Sequence, residues 1–160
     1  MNWAELLKIA YSKAAESTNP STQNAALLVN DNGQVLACVE NPFPRGIAET
    51  PERLVKPLRY KMSVHAERNL IYTAAREGIK TEGLTMVAPW ASCADCAQAV
   101  IQAGIKRLVT HQQALDHSNG WVEEVALGLS MMREAGVEVI IYDGLIGATS
   151  IRRDYEVWQP

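Results

Sequence analysis

Three short apolar runs, each separated from the next by one glycine-stopped helix, fix most of what this chain can fold into. Leu84 to Ala88 reads as a buried strand, Cys93 to Ala103 as a helix closed by Gly104, and Lys106 to Thr110 as a second strand. Trp121 to Ala135 follows as a helix, with Trp121, Val125, Leu129 and Met132 on one face and Gly136 as its stop, and Val137 to Tyr142 is a third strand. Strands joined by single helices pair in parallel, and such sheets take ligands at the carboxyl ends of their strands. Upstream, Ala25 to Val29 and Val35 to Val39 flank Asn30-Asp31-Asn32-Gly33, a hairpin signal. Asn2 and Glu5 resemble a capping box before an amphipathic helix carrying Trp3, Leu6, Leu7, Ala10, Tyr11, Ala14 and Ala15 on one side. A further helix spans about Val64 to Glu77, with Gly78 after it. The order α-β-β-α-β-α-β-α-β predicts an α/β fold, a three-layer α-β-α sandwich around a mixed five-stranded sheet.

The 160 residues suit one domain, 1–160, whose tail from Asp143 to Pro160 packs on the same subunit or on a neighbour. No apolar run approaches the roughly 20 residues that span a bilayer, so no membrane partner is expected. The first residues lack the basic-then-apolar layout of a signal peptide, which makes a cytoplasmic location the expectation. A net charge of −3 argues against a dedicated polynucleotide binder and for a small-molecule ligand. The stretch from Asn41 to Ser63 runs against that balance. It holds four of the seven prolines, and Arg45, Arg53, Lys56, Arg59 and Lys61 outnumber Glu49 and Glu52, for a local charge of +3. A basic loop on an acidic chain suits a phosphate-bearing substrate; for any one of its cations, a solvated surface charge is the simpler account.

The chemistry concentrates at two helix starts. His65-Ala66-Glu67 opens one and Cys93-Ala94-Asp95-Cys96 opens the next. Cysteines at i and i+3 share one face of a first helical turn, where the helix dipole favours thiolate. His65 is positioned to add a third ligand, and three protein ligands leave one coordination position of a zinc ion open for water. At a helix N-terminus, Glu67 can reach across to handle protons without binding the metal. Taken alone, the Cys93/Cys96 pair also fits a redox couple or half of a structural zinc site. Cys38, the third cysteine, reads as a small buried hydrophobe. Trp90 can stack on a pyrimidine or fill its loop, and His111, at a strand end, is a candidate for a sugar or phosphate contact.

His65-x-Glu67 followed by Cys93-x-x-Cys96 resembles the zinc-deaminase signature H-x-E then P-C-x-x-C, and the chain is similar to the cytidine and deoxycytidylate deaminase superfamily. Within it, the deoxycytidylate (dCMP) deaminases match best. Their S-x-D-P-S-x-Q-x-G-A resembles Ser17 to Ala26, their Y-N-G-x-P-x-G resembles Glu40 to Gly46, and their C-A-x-x-I-I-Q-A-G-I-K resembles Cys96 to Lys106. The likeness covers roughly residues 1 to 142. It implies the cytidine deaminase type of sandwich, Zn2+ held by His65, Cys93 and Cys96, and Glu67 as proton shuttle. It implies attack by zinc-activated water at C4 of a cytosine nucleotide, converting dCMP to dUMP and ammonia. Asn41 is implied to bind the nucleoside and the Ala66 N–H the base, with Arg45 and Arg59 as first choices for phosphate. Homo-oligomers, commonly hexamers, are implied as well. Two departures stand out. Trp90, Ala91 and Ser92 separate Pro89 from Cys93, where relatives place proline next to cysteine, so Trp90 and Ser92 reshape the substrate side of the pocket. Pro42 replaces the glycine of the loop motif in a region that many relatives use to sense dCTP and dTTP.

Overall fold

A tight reversal at Asn30–Gly33 starts the sheet. The Asn30 side-chain oxygen accepts from the backbone N–H of Asn32 and Gln34, both at 3.0 Å, and Gly33 takes the left-handed conformation (φ 80°). The reversal joins β1 (Ala25–Val29) to β2 (Val35–Glu40), antiparallel, with a bulge between Leu28 and Val29. In the computed structural model, which describes residues 1–160, β1 also pairs antiparallel with β3 (Thr85–Val87). β3 then pairs in parallel with β4 (Arg107–His111), and β4 with β5 (Glu138–Tyr142). The sheet is mixed and five-stranded, as the sequence pattern predicted, and its strands lie in the order β2-β1-β3-β4-β5.

Alternation along the strands builds two cores. Leu27, Val29, Val87 and Val109 meet Leu6, Leu7 and Ala10 of α1 (Trp3–Ala14) on one face. Ala26, Leu28, Met86 and Leu108 point the other way, into the layer formed by α3 (Ala66–Glu77), α4 (Ala94–Gln102) and α6 (Val122–Glu134). The N-cap reading of α1 holds, since the Asn2 side chain accepts from the Glu5 N–H at 3.3 Å. Helix ends fall one or two residues inside the sequence-based bounds. As a result, His65 and Cys93 are the N-cap residues of α3 and α4, with extended backbones (ψ 147° and 171°).

Four short elements escaped the periodicity argument. α2 (Leu58–Met62) interrupts the Asn41–Ser63 loop, and α5 (Gln112–Asp116) follows β4 directly. Each has five residues, too few to show a helical repeat. The tail forms a separate hairpin of β6 (Ile151–Arg153) and β7 (Glu156–Trp158). It packs on its own chain: Ile151 and Ala148 join Tyr11, Ala14 and Ala25 in a third apolar cluster flanked by Trp158. No helix is long and apolar enough to cross a membrane.

Candidate active site

Helices α3 and α4 begin side by side, and their N-cap residues bring three ligand-type side chains together. Sγ of Cys93 lies 3.5 Å from Nδ1 of His65, and Sγ of Cys96 lies 3.4 Å from the same nitrogen. All three ligand atoms sit within 4.8 Å of one another. A tetrahedral zinc with ordinary Zn–S and Zn–N bonds sets its sulfur and nitrogen ligands about 3.6 Å apart, so this donor set fits zinc in spacing and chemistry. The protonation pattern agrees. The Cys93 thiol is held down to about 4, chiefly by a hydrogen bond from Cys96 and further by one from His65. Cys96, as the donor in that pair, is pushed up, and His65 is raised by its bond to Cys93. Two thiols competing for one proton are what a divalent cation resolves, by holding both as thiolates.

His65 and Cys93 line a solvent-open cavity of about 80 Å³, and Cys96 is fully buried behind them. Glu67, only 3 % exposed, lines it, and burial raises its carboxyl above the usual range despite the opposing charge of His65. Ala66 lines it too, at the first position of α3, where the N–H has no acceptor within the helix. The walls are aromatic. Trp121 sits edge-on to His65, Tyr60 and Trp90, at ring-centroid separations of 5.9, 6.1 and 6.1 Å. Trp90 lines the cavity and is also locked in its loop. Its Nε1–H donates to Ser118 Oγ at 2.6 Å, and the Arg153 guanidinium stacks 3.9 Å from its ring.

The structure sorts the remaining candidates. Asn41 lines the cavity, but its amide also braces the strand entry, accepting from the Asn24 N–H at 2.9 Å and donating to the Thr22 carbonyl at 2.8 Å. Of the five cations in the basic loop, Arg59 alone lines the cavity; Arg45 is exposed and lies outside the lining. Ser92 is fully buried behind the wall, with its hydroxyl near the Glu67 carboxyl. The expectation that His111 contacts substrate needs correcting. It is sealed on the α1 side of the sheet, 0 % exposed, between the Tyr11 hydroxyl at 2.5 Å and the Gly144 carbonyl at 2.8 Å.

Sequence reasoning missed Trp121, Tyr60, Asn24, Ser63, Asp154 and Gly128. Trp121 was read only as a helix-face residue. Gly128 sits mid-helix in α6, where glycine costs about 1 kcal/mol relative to alanine. A Cβ there would overlap the Ser92 carbonyl oxygen and come within 3.1 Å of the Cys93 carbonyl group, so glycine lets α6 press against the segment carrying a zinc ligand.

A metal-ligand trio at two helix starts, with a buried carboxyl beside it in an aromatic cavity, defines a zinc-dependent deaminase. Residues 1–112 match the family described as the cytidine and deoxycytidylate deaminase zinc-binding region, and the chain belongs to that family. It is 29% identical over 138 residues to an uncharacterized deaminase from the luxG 3′ region of Aliivibrio fischeri, spanning 86% of this chain and 91% of that protein. It is 28% identical over 145 residues to the deoxycytidylate deaminase of Mus musculus, spanning 86% of this chain and 78% of that enzyme. The fold resembles the crystal structure of dCMP deaminase from the cyanophage S-TIM5 in apo form, with a TM-score of 0.62 at 19% identity, covering 88% of this chain and 94% of that one. The protein is therefore a hydrolytic deaminase of the cytidine/dCMP type that uses zinc.

Proposed function

We propose that the protein hydrolyses the 4-amino group of deoxycytidine 5′-monophosphate, taking dCMP and water to dUMP and ammonia, with Glu67 as the proton shuttle. The observation that carries this reading is the pairing, in one cavity, of a buried carboxyl beside the ligand trio with a single buried arginine, Arg59, that has no carboxylate partner. His65, Cys93 and Cys96 are the residues that would hold zinc. When bound there, zinc lowers the pKa of water at the open position toward neutrality.

The chain's own groups do the rest. Glu67 is placed to take one proton from water and deliver it to N3 of the ring, then to take the second from the hydroxyl added at C4 and deliver it to the departing amine. The Ala66 N–H is available to the base. Trp121 and Trp90 offer apolar faces to the pyrimidine and exclude bulk water. Arg59 compensates the 5′-phosphate, and the likeness to a deoxycytidylate deaminase supports a nucleotide over a free base.

Ammonia release from a panel of cytosine and adenine compounds, as bases, nucleosides and nucleotides, tests the assignment. The expected result is kcat/KM on dCMP about ten- to a hundredfold above that on deoxycytidine, since one charge-assisted contact contributes about 1.5–3 kcal/mol. Equal efficiency on the two would move the reading to a nucleoside deaminase. A preference for an adenine compound would overturn it.

A further inference from the structure

The C-terminal hairpin lies beyond the family match, which ends at residue 112, yet it contributes Asp154 to the cavity lining. Its two-residue turn is Asp154-Tyr155, and both residues take positive φ, 50° and 70°. Asn-Gly is the ordinary choice for such a turn, because non-glycine residues are strained there. The surroundings hold this one in place. The Tyr155 N–H donates to the Ser21 carbonyl at 2.9 Å, and the Asp154 N–H to Thr22 Oγ1 at 3.3 Å. Arg152 clamps the same segment, donating to the carbonyls of Asn19 and Ser17.

This arrangement aims the Tyr155 hydroxyl at Arg59. Nη1 of Arg59 donates to Tyr155 Oη at 2.8 Å and to the Leu54 carbonyl at 3.2 Å, which uses both of its protons. Nη2 is buried and donates to nothing. Four residues on, the Ser63 hydroxyl is also buried with no partner. Spacing of i and i+4 along α2 and its C-cap puts both groups on one side. Arg59 and Ser63 both line the active-site cavity.

Two buried donors without partners, on one side of α2 and its C-cap, are costly in a folded protein unless water or a ligand completes them. A guanidinium with one free edge, no carboxylate partner and a hydroxyl beside it calls for an anion with several acceptor oxygens. The Tyr60 and Tyr155 rings face the guanidinium at 5.3 and 5.5 Å, but no carboxylate does, which leaves its charge open to an anion.

We propose that the C-terminal hairpin sets the demand for a 5′-phosphate: Tyr155 positions the Arg59 guanidinium so that its Nη2, together with Ser63 Oγ, seats a phosphate monoester. The proposal rests on the nucleotide reading above and names the groups that enforce it. Tyr155 is a positioning residue acting through Arg59, and Ser63 is a second phosphate contact.

Binding of the product pair dUMP and deoxyuridine to the zinc-loaded protein, measured by calorimetry, tests this without turnover. The unmodified protein is expected to bind dUMP about a hundredfold or more tighter than deoxyuridine. Arg59→Gln should bring the two within about tenfold, and Ser63→Ala and Tyr155→Phe should each weaken dUMP binding by about tenfold. In the Arg59→Gln background, Tyr155→Phe should change nothing further, because its effect passes through the guanidinium. Tyr155 is 59% exposed and the change removes one oxygen, so folding is not at stake. Equal binding of dUMP and deoxyuridine by the unmodified protein would overturn the nucleotide reading itself. A strong preference that survives both Ser63→Ala and Tyr155→Phe would overturn the seat and leave the nucleotide reading standing. An additive effect of Tyr155→Phe in the Arg59→Gln background would overturn the positioning role.

Discussion

Glu67 and the ligand trio occupy one cavity but are asked for different things, and substitution separates them. Glu67→Gln keeps the shape of the side chain and removes its ability to carry a proton. The variant should fold, retain zinc and lose about 10²–10⁴-fold in kcat. Near-normal turnover would make the carboxyl structural. Cys96→Ser should instead lose the metal, because a hydroxyl at this position is a poor substitute for a thiolate held against His65. Metal analysis at one zinc per chain in Cys96→Ser would remove Cys96 from the ligand set.

At the scale of elements, the site is the meeting of two helix N-termini, and α6 holds one of them down. Gly128 permits that contact. Gly128→Ala gains helix propensity but puts a methyl group into the Ser92–Cys93 backbone. Overpacking of this kind costs about 1–3 kcal/mol, which outweighs a propensity gain of about 1 kcal/mol or less. A melting temperature lowered by several degrees is expected, together with weaker zinc retention under chelator challenge. A variant as stable as the original, with unchanged metal retention, would show that α6 does not brace the Cys93 segment. In the same way, the tail hairpin borders the cavity, through Asp154 in its lining and Tyr155 against Arg59.

Across the whole molecule, His111 joins parts that are far apart in sequence. Its ring accepts from Tyr11 of α1, donates from Nε2 to the Gly144 carbonyl, and packs near Trp158 of the tail. The carbonyl fixes the proton on Nε2 and leaves Nδ1 to accept, so the folded state holds the ring neutral. Burial depresses its pKa in agreement. The unfolded chain takes up a proton near pH 6.5, so it binds more protons than the native state below that value. The His111 contribution is therefore complete above about pH 6.5 and is lost as pH falls toward the depressed native value. Melting temperatures between pH 7.5 and 5 should fall more steeply for the unmodified protein than for His111→Gln; equal slopes would clear His111 of this role. We also propose self-association through the helical layer, where Tyr72, Val122 and Leu127 remain exposed. Light scattering at micromolar concentration should report a species larger than the 17.6 kDa chain, and a monomer would refute it.

What the sequence determined on its own was whatever repeats locally. Periodicity and glycine stops gave the five strands and the long helices, because burying one face of an element leaves its mark every second or every third to fourth residue. His65, Glu67, Cys93 and Cys96 were legible for the same reason: each pair has a fixed spacing at a helix start, so local geometry already brings each pair to one helix end. The rest depended on which surfaces meet. Arg45 and Arg59 look alike in a basic loop, and only packing turns Arg59 inward while Arg45 stays in solvent. His111 sits at a strand end like a site residue, but Tyr11, 100 positions away in sequence, seals it. Gly128 reads as a weak helix residue until α6 lies against Ser92. The turn at Asp154-Tyr155 carries no Asn-Gly signal, and strands of three residues show no usable alternation. Its conformation is imposed by Ser21 and Thr22, more than 130 residues upstream, and long-range contacts of that kind leave no local pattern to read.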